Sequence, residues 1–255
     1  MYKEQRQNRI LEMIKSEGAV GVSTLSDIFD VSVITIRRDL GELNRKGYVS
    51  RTHGGAINSD WIIPSRMILL IEGINHLKDE KQAIAKVVAK MVSNNEKIYI
   101  SAGSTAFWAA KEIMTKRDLT LVTHSLPLAN LIARNEDINL IMIGGFLRRK
   151  EYTFVGHFAE QAIQDLHLDK VIIGIRGIHP DHGFTSDYPQ ELMTDRAFLN
   201  TSENVIIIAD HTKFGFVAPS KIAPITAART IVTSHKAPYD MVEKIKEKGV
   251  EVLQV

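Results

Sequence analysis

The spacing of apolar residues changes character along the chain. Up to about residue 47 it is helical. In "KEQRQNRILEMIKSEG" Ile10, Leu11 and Ile14 share one stripe among charges and Gly18 follows, which predicts a surface helix with one buried face. "STLSDIFD" predicts a second short helix with Ser23 at its N-cap and Leu25, Ile28 and Phe29 facing inward. Asp30 and Val31 make a tight connection. Ser32 then caps a third helix that runs to about Asn44, with Gly47 just beyond its end. At about 100° per residue, Val33, Ile36, Leu40 and Leu43 fall on its buried face. Ile34 and Arg38 project from the opposite face, with Thr35 and Arg37 on its flanks. "GYVSRTHGGAI" then reads as a strand over 48–51, a turn at Gly54-Gly55 and a returning apolar stub.

Residues 57–79 contain Pro64, mixed polarity and no clear period, as expected of a connection between domains. From Asp79 the pattern is again helical, with Asp79 as cap and Gln82 in the capping-box position of "DEKQAIAKVVAKMVSNNE". Apolar strands and helices then alternate. The strands are "KIYISAG", "LTLVTH", "INLIMIGG", "DKVIIGI", "NVIIIAD", "ARTIVTS" and "VEVLQV"; helices are expected near 105–116, 126–134, 190–202 and 238–248. Such alternation predicts a mostly parallel sheet covered on both faces, with ligands at the carboxyl ends of its strands. The expected architecture is α+β in two domains: a winged helix-turn-helix at 1–57, a linker at 58–78 and an α/β domain at 79–255.

Composition narrows the class. A chain of 255 residues with 44% hydrophobic and 24% charged residues is long enough for two domains and can bury a substantial core. It has no cysteine, which excludes disulfides and thiol catalysis. The polar opening "MYKEQRQNRI" does not read as a signal peptide, and apolar runs are too short for a membrane span, so a cytoplasmic protein without membrane contact is expected. The net charge of +2 is too weak alone to indicate nucleic acid. Its distribution is more telling. Residues 31–57 hold five basic residues (Arg37, Arg38, Arg45, Lys46, Arg51) against Asp39 and Glu42, a local excess of +3.

The third helix therefore admits two readings. It is either a solvated face of Arg37, Arg38, Asp39 and Glu42, or a DNA-reading surface. In the second, Ser32, Ile34, Thr35, Arg37 and Arg38 meet double-stranded DNA, where a methyl-bearing side chain packs on thymine and guanidinium forks match guanine or phosphate. The hairpin that follows would be a wing, placing Arg51 and His53 near phosphate or the minor groove.

Candidate chemistry in the larger domain lies at the strand ends. "ISAGSTAF" opens a helix with Gly103, Ser104 and Thr105; close backbone approach, outward N–H groups and two hydroxyls suit a phosphate, or make an ordinary capped turn. It matches neither a Walker A loop nor a dinucleotide fingerprint. Ser125 could bond a sugar or cap the next helix, Gly144-Gly145 end a third strand, and Lys213 follows a fourth. "HPDH" (His179, Asp181, His182) is better explained as a polar loop than as a metal site.

These segments resemble a known family. "RQNRILEMIKSEG" and "VSVITIRRDLGELNRKGYVSRTHGGA" are similar to the DNA-binding domain of DeoR-type bacterial transcription regulators. "AGSTA", "THSLPLAN", "IGGFLRR", "TFVG", "DKVIIGI", "GFTS" and "ADHTKFG" resemble, in order, that family's effector domain, related in fold to ribose-5-phosphate isomerase. The resemblance implies a repressor of a carbohydrate-utilisation operon, working as a dimer or higher oligomer and relieved by a phosphorylated sugar. It implies no cofactor, no metal and no catalytic residue, with Gly103, Ser104 and Thr105 as phosphate loop and Glu191 and Lys213 as further effector contacts. Two departures stand out: "GIRGI" has Arg176 where the family usually has an acid, and "ELMTDR" has Asp195 where it usually has a base. A sign-swapped Arg176–Asp195 ion pair would reconcile them. The competing functional class is a sugar-phosphate isomerase or deaminase with an accessory helical domain. Proton transfer would need a positioned carboxylate, and arginine at 176 counts against it.

Overall fold

The computed structural model describes residues 2–52, 54–58 and 73–255, which fall into two compact units, Met1–Asn75 and His76–Val255. His53 and most of the connection expected at 58–78 lie outside the described residues.

The first unit contains α1 (Lys3–Glu17), β1 (Ala19–Gly21), α2 (Val22–Phe29), α3 (Val33–Arg45), β2 (Val49–Arg51) and β3 (Gly55–Asn58). Ile10, Ile14, Leu25, Ile36, Leu40 and Leu43 interlock as its core. The strands form a small antiparallel sheet in the order β1-β3-β2, giving a winged helix-turn-helix. A Cβ on Gly55 would lie 2.1 Å from the Val20 carbonyl oxygen, so only glycine lets β3 seat against β1.

Three local expectations are corrected. α2 begins at Val22 with Gly21, not Ser23, at its N-cap. Ile28 is 53% exposed, because an eight-residue helix buries the stripe of Val22, Leu25 and Phe29 and turns Ile28 away from it. Val33 is 39% exposed, since it opens α3 and has no preceding turn against which to pack.

The second unit runs α4 (Lys78–Lys90), β4 (Lys97–Ile100), α5 (Ser104–Ile113), β5 (Leu119–Thr123), α6 (Leu126–Ile132), β6 (Ile138–Met142), β7 (Phe146–Arg148), β8 (Thr153–Val155) and α7 (His157–Gln164). It continues through β9 (Lys170–Gly174), β10 (Gly177–His179), β11 (Gly183–Ser186), α8 (Leu192–Leu199), β12 (Val205–Ile208), β13 (Ser220–Ala223), β14 (Thr230–Thr233), α9 (Tyr239–Glu247) and β15 (Glu251–Gln254). α4 starts one residue before the expected cap, after Leu77 in a left-handed conformation.

Seven strands form an all-parallel sheet in the order β15-β14-β12-β9-β4-β5-β6. Its inner strands β12 and β14 are buried on both faces, the Ile- and Val-rich signature of a doubly covered parallel sheet. β4 is the first strand of the sheet. β5 and β6 extend from one side of it, and β9, β12, β14 and β15 from the other, so winding reverses between β4 and β9. That reversal opens a crevice at the carboxyl ends of those two strands. The hairpin β7–β8 and the antiparallel sheet β10-β11-β13 decorate the same unit. Among the described residues, no helix is long and apolar enough to cross a membrane.

Candidate functional site

On α3 the structure separates the two readings of the basic helix. Ser32 caps it: its Oγ accepts the Thr35 N–H at 3.3 Å and lies 2.9 Å from Thr35 Oγ1. Asp39 and Glu42 do not join Arg37 and Arg38 in a solvated face. They turn towards α1 instead. Arg6 Nε donates to Asp39 Oδ2 at 2.6 Å, Gln7 Nε2 donates to Asp39 Oδ1 and Glu42 Oε2, and Lys3 Nζ donates to Glu42 at 2.7 Å. Asp39 is only 1% exposed. Arg37 and Arg38 are thus left exposed without an acidic partner among the described residues, beside Ile34 at 71% exposure. Arg51 is exposed on the wing; its N–H is held by Asn44 Oδ1 at 3.1 Å, and its guanidinium passes close to Gly41 on α3.

In the second unit the crevice between β4 and β9 receives Gly103. Its φ of +109° suits only glycine, nothing lies within 4 Å of where a Cβ would stand, and it forms the N-cap of α5 without a side-chain cap. The first-turn N–H groups of Ser104, Thr105 and Ala106 have no intrahelical acceptor, and the helix dipole adds positive potential there. The neighbouring end of β9 is tied to this loop through Gly174 N–H, which donates to Ser101 Oγ at 2.9 Å. Lys213 closes the short helical turn after β12, with Nζ 4.0 Å from Asp210 Oδ2.

On the β5 side lies a cluster that sequence reasoning missed apart from Glu191. Arg148 at the end of β7 is 9% exposed, and its Nη1 donates to Glu191, which also accepts from Thr153 Oγ1 at 2.7 Å. The guanidinium lies 3.7 Å over the Tyr188 ring. Arg148 Nη2 is buried without a hydrogen-bond partner; Glu151 Oε1, at 3.8 Å, is beyond bonding reach. The only sequence signal was the arginine pair of "GGFLRR". Its partners lie up to 43 residues away, where no local period could place them.

A buried aromatic layer lies beneath. Tyr99 stacks on Phe198 at 3.6 Å between centroids, and Tyr99 Oη lies 2.8 Å from His124 Nδ1. Burial, with Arg148 nearby, lowers the His124 pKa to about 4, so the ring that shares this hydrogen bond with Tyr99 is neutral. Burial raises the Asp195 pKa to about 8, and the Glu191 carboxylate adds to the shift. At neutral pH Asp195 is a proton donor rather than an anion.

Other expectations need correction. Arg176 does not pair with Asp195: its Nε donates to Asp187 Oδ2 at 2.7 Å, while Asp195 sits beside Glu191 and Arg148. The hairpin β10–β11 brings Arg176 and Asp187 together at its open end, which a comparison of motif signs could not reveal. Ser125 is 1% exposed and its hydroxyl caps α6 by accepting the Leu128 N–H at 3.5 Å, the capping alternative that its position offered. Gly145 is needed for packing, since a Cβ there would meet the Val155 carbonyl oxygen at 2.8 Å; Gly144 is open. In the "HPDH" loop, His179 Nδ1 accepts the N–H groups of Asp181 and His182, which accounts for it as a turn.

The chain matches the DeoR-like helix-turn-helix domain over residues 6–60 and the DeoR C terminal sensor domain over residues 77–235. It is 32% identical to the transcriptional repressor AccR of Agrobacterium fabrum, covering 96% of this chain and 94% of that protein. It is 31% identical to the glycerol-3-phosphate regulon repressor of Escherichia coli, covering 99% of each. A ribose 5-phosphate isomerase A from Neisseria gonorrhoeae superposes on 52% of the chain at a TM-score of 0.39 and 20% identity, a likeness too slight to carry weight. The family is one of regulators rather than enzymes. With a helix-turn-helix that leaves two arginines without an acidic partner among the described residues, followed along the chain by a doubly wound domain, the chain belongs to the DeoR family of transcriptional regulators.

Proposed function

We propose that this protein is a cytoplasmic repressor that docks α3 in the major groove of operator DNA and lets go when a phosphorylated sugar enters the crevice between β4 and β9. Ile34, Thr35, Arg37 and Arg38 read base edges, with Ser32 fixing the start of the helix. Arg51 on the wing adds backbone contacts, and His53, two residues further along the sequence, does the same. The observation that carries the DNA-binding half is the diversion of Asp39 and Glu42 to α1, which leaves Arg37 and Arg38 without a counter-charge. A reading helix of this kind serves paired half-sites, so the protein works as a homodimer or larger assembly.

For the effector, the phosphate seats on the N–H groups of Gly103, Ser104 and Thr105 at the start of α5. Arg148 Nη2, a buried donor without a partner among the described residues, supports a polar ligand in this unit. Glu191 and the protonated Asp195 offer acceptor and donor to sugar hydroxyls, and Lys213 adds a point charge. The glycerol-3-phosphate regulon named for one relative fits an effector of this chemistry.

The test is Gly103→Ala. An added Cβ at φ +109° strains the loop and stands where the ligand must approach. The variant should bind operator as the parent does, yet stay bound at sugar-phosphate concentrations that release the parent. A Gly103→Ala protein released normally would move the phosphate site elsewhere.

A further inference from the structure

We propose that Arg176 makes the sensor selective for a sugar phosphate that carries a second anionic group at the end remote from its phosphate. This inference rests on the sugar-phosphate reading above. Three cationic or anion-binding features stand on adjacent strands of the sheet. The Gly103 loop follows β4, Arg176 follows β9 and Lys213 follows β12. The three strands are paired neighbours, Ile100 opposite Ile172 and Ile208 opposite Gly174, and adjacent strands run about 4.8 Å apart. The strands that lead to the first and last features therefore lie roughly 10 Å apart, about the length of a phosphorylated sugar carrying a terminal charge.

Arg176 is built to offer its guanidinium. Asp187 engages Nε alone, and the side chain remains 51% exposed. Phe216, three residues beyond Lys213, lies 5.2 Å from Arg176 Cζ and supports the planar group from the side. The two Nη groups form the fork that matches a carboxylate or phosphate in two parallel hydrogen bonds. A neutral sugar end would leave that fork unused. Arg148 is buried against Glu191, whereas Arg176, paired with Asp187 through Nε, is half exposed and can turn its Nη groups to a second charge.

Matched ligand pairs test this by isothermal titration calorimetry of the full chain at fixed ionic strength: glucose 6-phosphate against 6-phosphogluconate, fructose 6-phosphate against fructose 1,6-bisphosphate, and glycerol 3-phosphate against 3-phosphoglycerate. The expected result is a preference of roughly 10- to 100-fold for the doubly anionic member of at least one pair, from a charge-assisted bidentate contact. Whether it falls in a carboxylate or a bisphosphate pair identifies the second group. Arg176→Gln should bring the ratio close to one and leave affinity for the monophosphate nearly unchanged, while Arg176→Lys should restore part of the preference. Circular dichroism of the variants confirms that the half-exposed position has not altered the fold. Equal binding within every pair that binds, or a preference that survives in Arg176→Gln, overturns the role of Arg176 and leaves the sugar-phosphate reading standing. Absence of binding by all six compounds overturns both.

Discussion

Asp39 lies beside Arg37 and Arg38 in sequence, yet it belongs to the core. Its carboxylate receives Arg6 and Gln7 from α1, and the Arg6–Asp39 pair is almost wholly buried. Removing one member of such a pair strands the other charge, at a cost of about 3–5 kcal/mol. Asp39→Ala should therefore lower the unfolding free energy of the DNA-binding unit by that order, read from the shift of its midpoint in urea titration. Arg38 behaves differently because it has no ion-pair partner to lose among the described residues. Arg38→Ala should leave stability unchanged and abolish preference for operator over random DNA. Lys46→Ala should weaken both equally, as expected of a contact with phosphate. Competition binding separates the two; full operator preference in Arg38→Ala would mean that another side chain reads the bases. The helical period predicted Ile36, Leu40 and Leu43 as core correctly. It could not predict that Asp39, on the edge of that stripe, would be drawn in by a partner on another helix.

The elements of the sheet were legible because buried parallel strands are continuous apolar runs, as in "NVIIIAD" and "DKVIIGI". The hairpin β7–β8 and the strands β10, β11 and β13 were not. Each has three or four residues and no alternation strong enough to stand out, although β7 delivers Arg148 and the β10–β11 end delivers Arg176. The unusual protonation on α8 arises from burial and the neighbouring Glu191 carboxylate, against which Arg148 from β7 acts. Asp195 holds its proton up to about pH 8 in the folded state, whereas an unfolded aspartate releases it near 3.8. Between those values the native state binds the extra proton, so rising pH destabilises it. His124, with a folded pKa of about 4 against 6.5, acts in the opposite direction below pH 6.5, where the unfolded state holds more protons. The two offset each other from pH 4 to 6.5, and the loss due to Asp195 is unopposed by His124 from 6.5 to 8. The slope there stays below the limit of about 1.4 kcal/mol per pH unit for one full proton, because Asp195 itself begins to release its proton as pH approaches 8. Asp195→Asn should flatten the decline between pH 6.5 and 8 when melting temperature is followed against pH. An unchanged profile would show that Asp195 is ionised throughout.

For the whole molecule, two units joined through a single stretch of chain must communicate for the protein to work as a switch. The effector can shift DNA affinity only by its difference in affinity for the releasing and binding states. A 100-fold change in operator affinity needs a coupling of about 2.7 kcal/mol, and by reciprocity operator DNA must weaken effector binding by the same factor. The central claim is that one chain binds specific DNA and yields it to a phosphorylated sugar. Fluorescence-anisotropy titration on the promoter DNA beside its own gene, at fixed salt, with and without the sugar-phosphate panel, tests it most directly. The account predicts operator binding well above random DNA and at least one sugar phosphate that weakens it. Binding without preference over random DNA, together with turnover of a sugar phosphate, would contradict it.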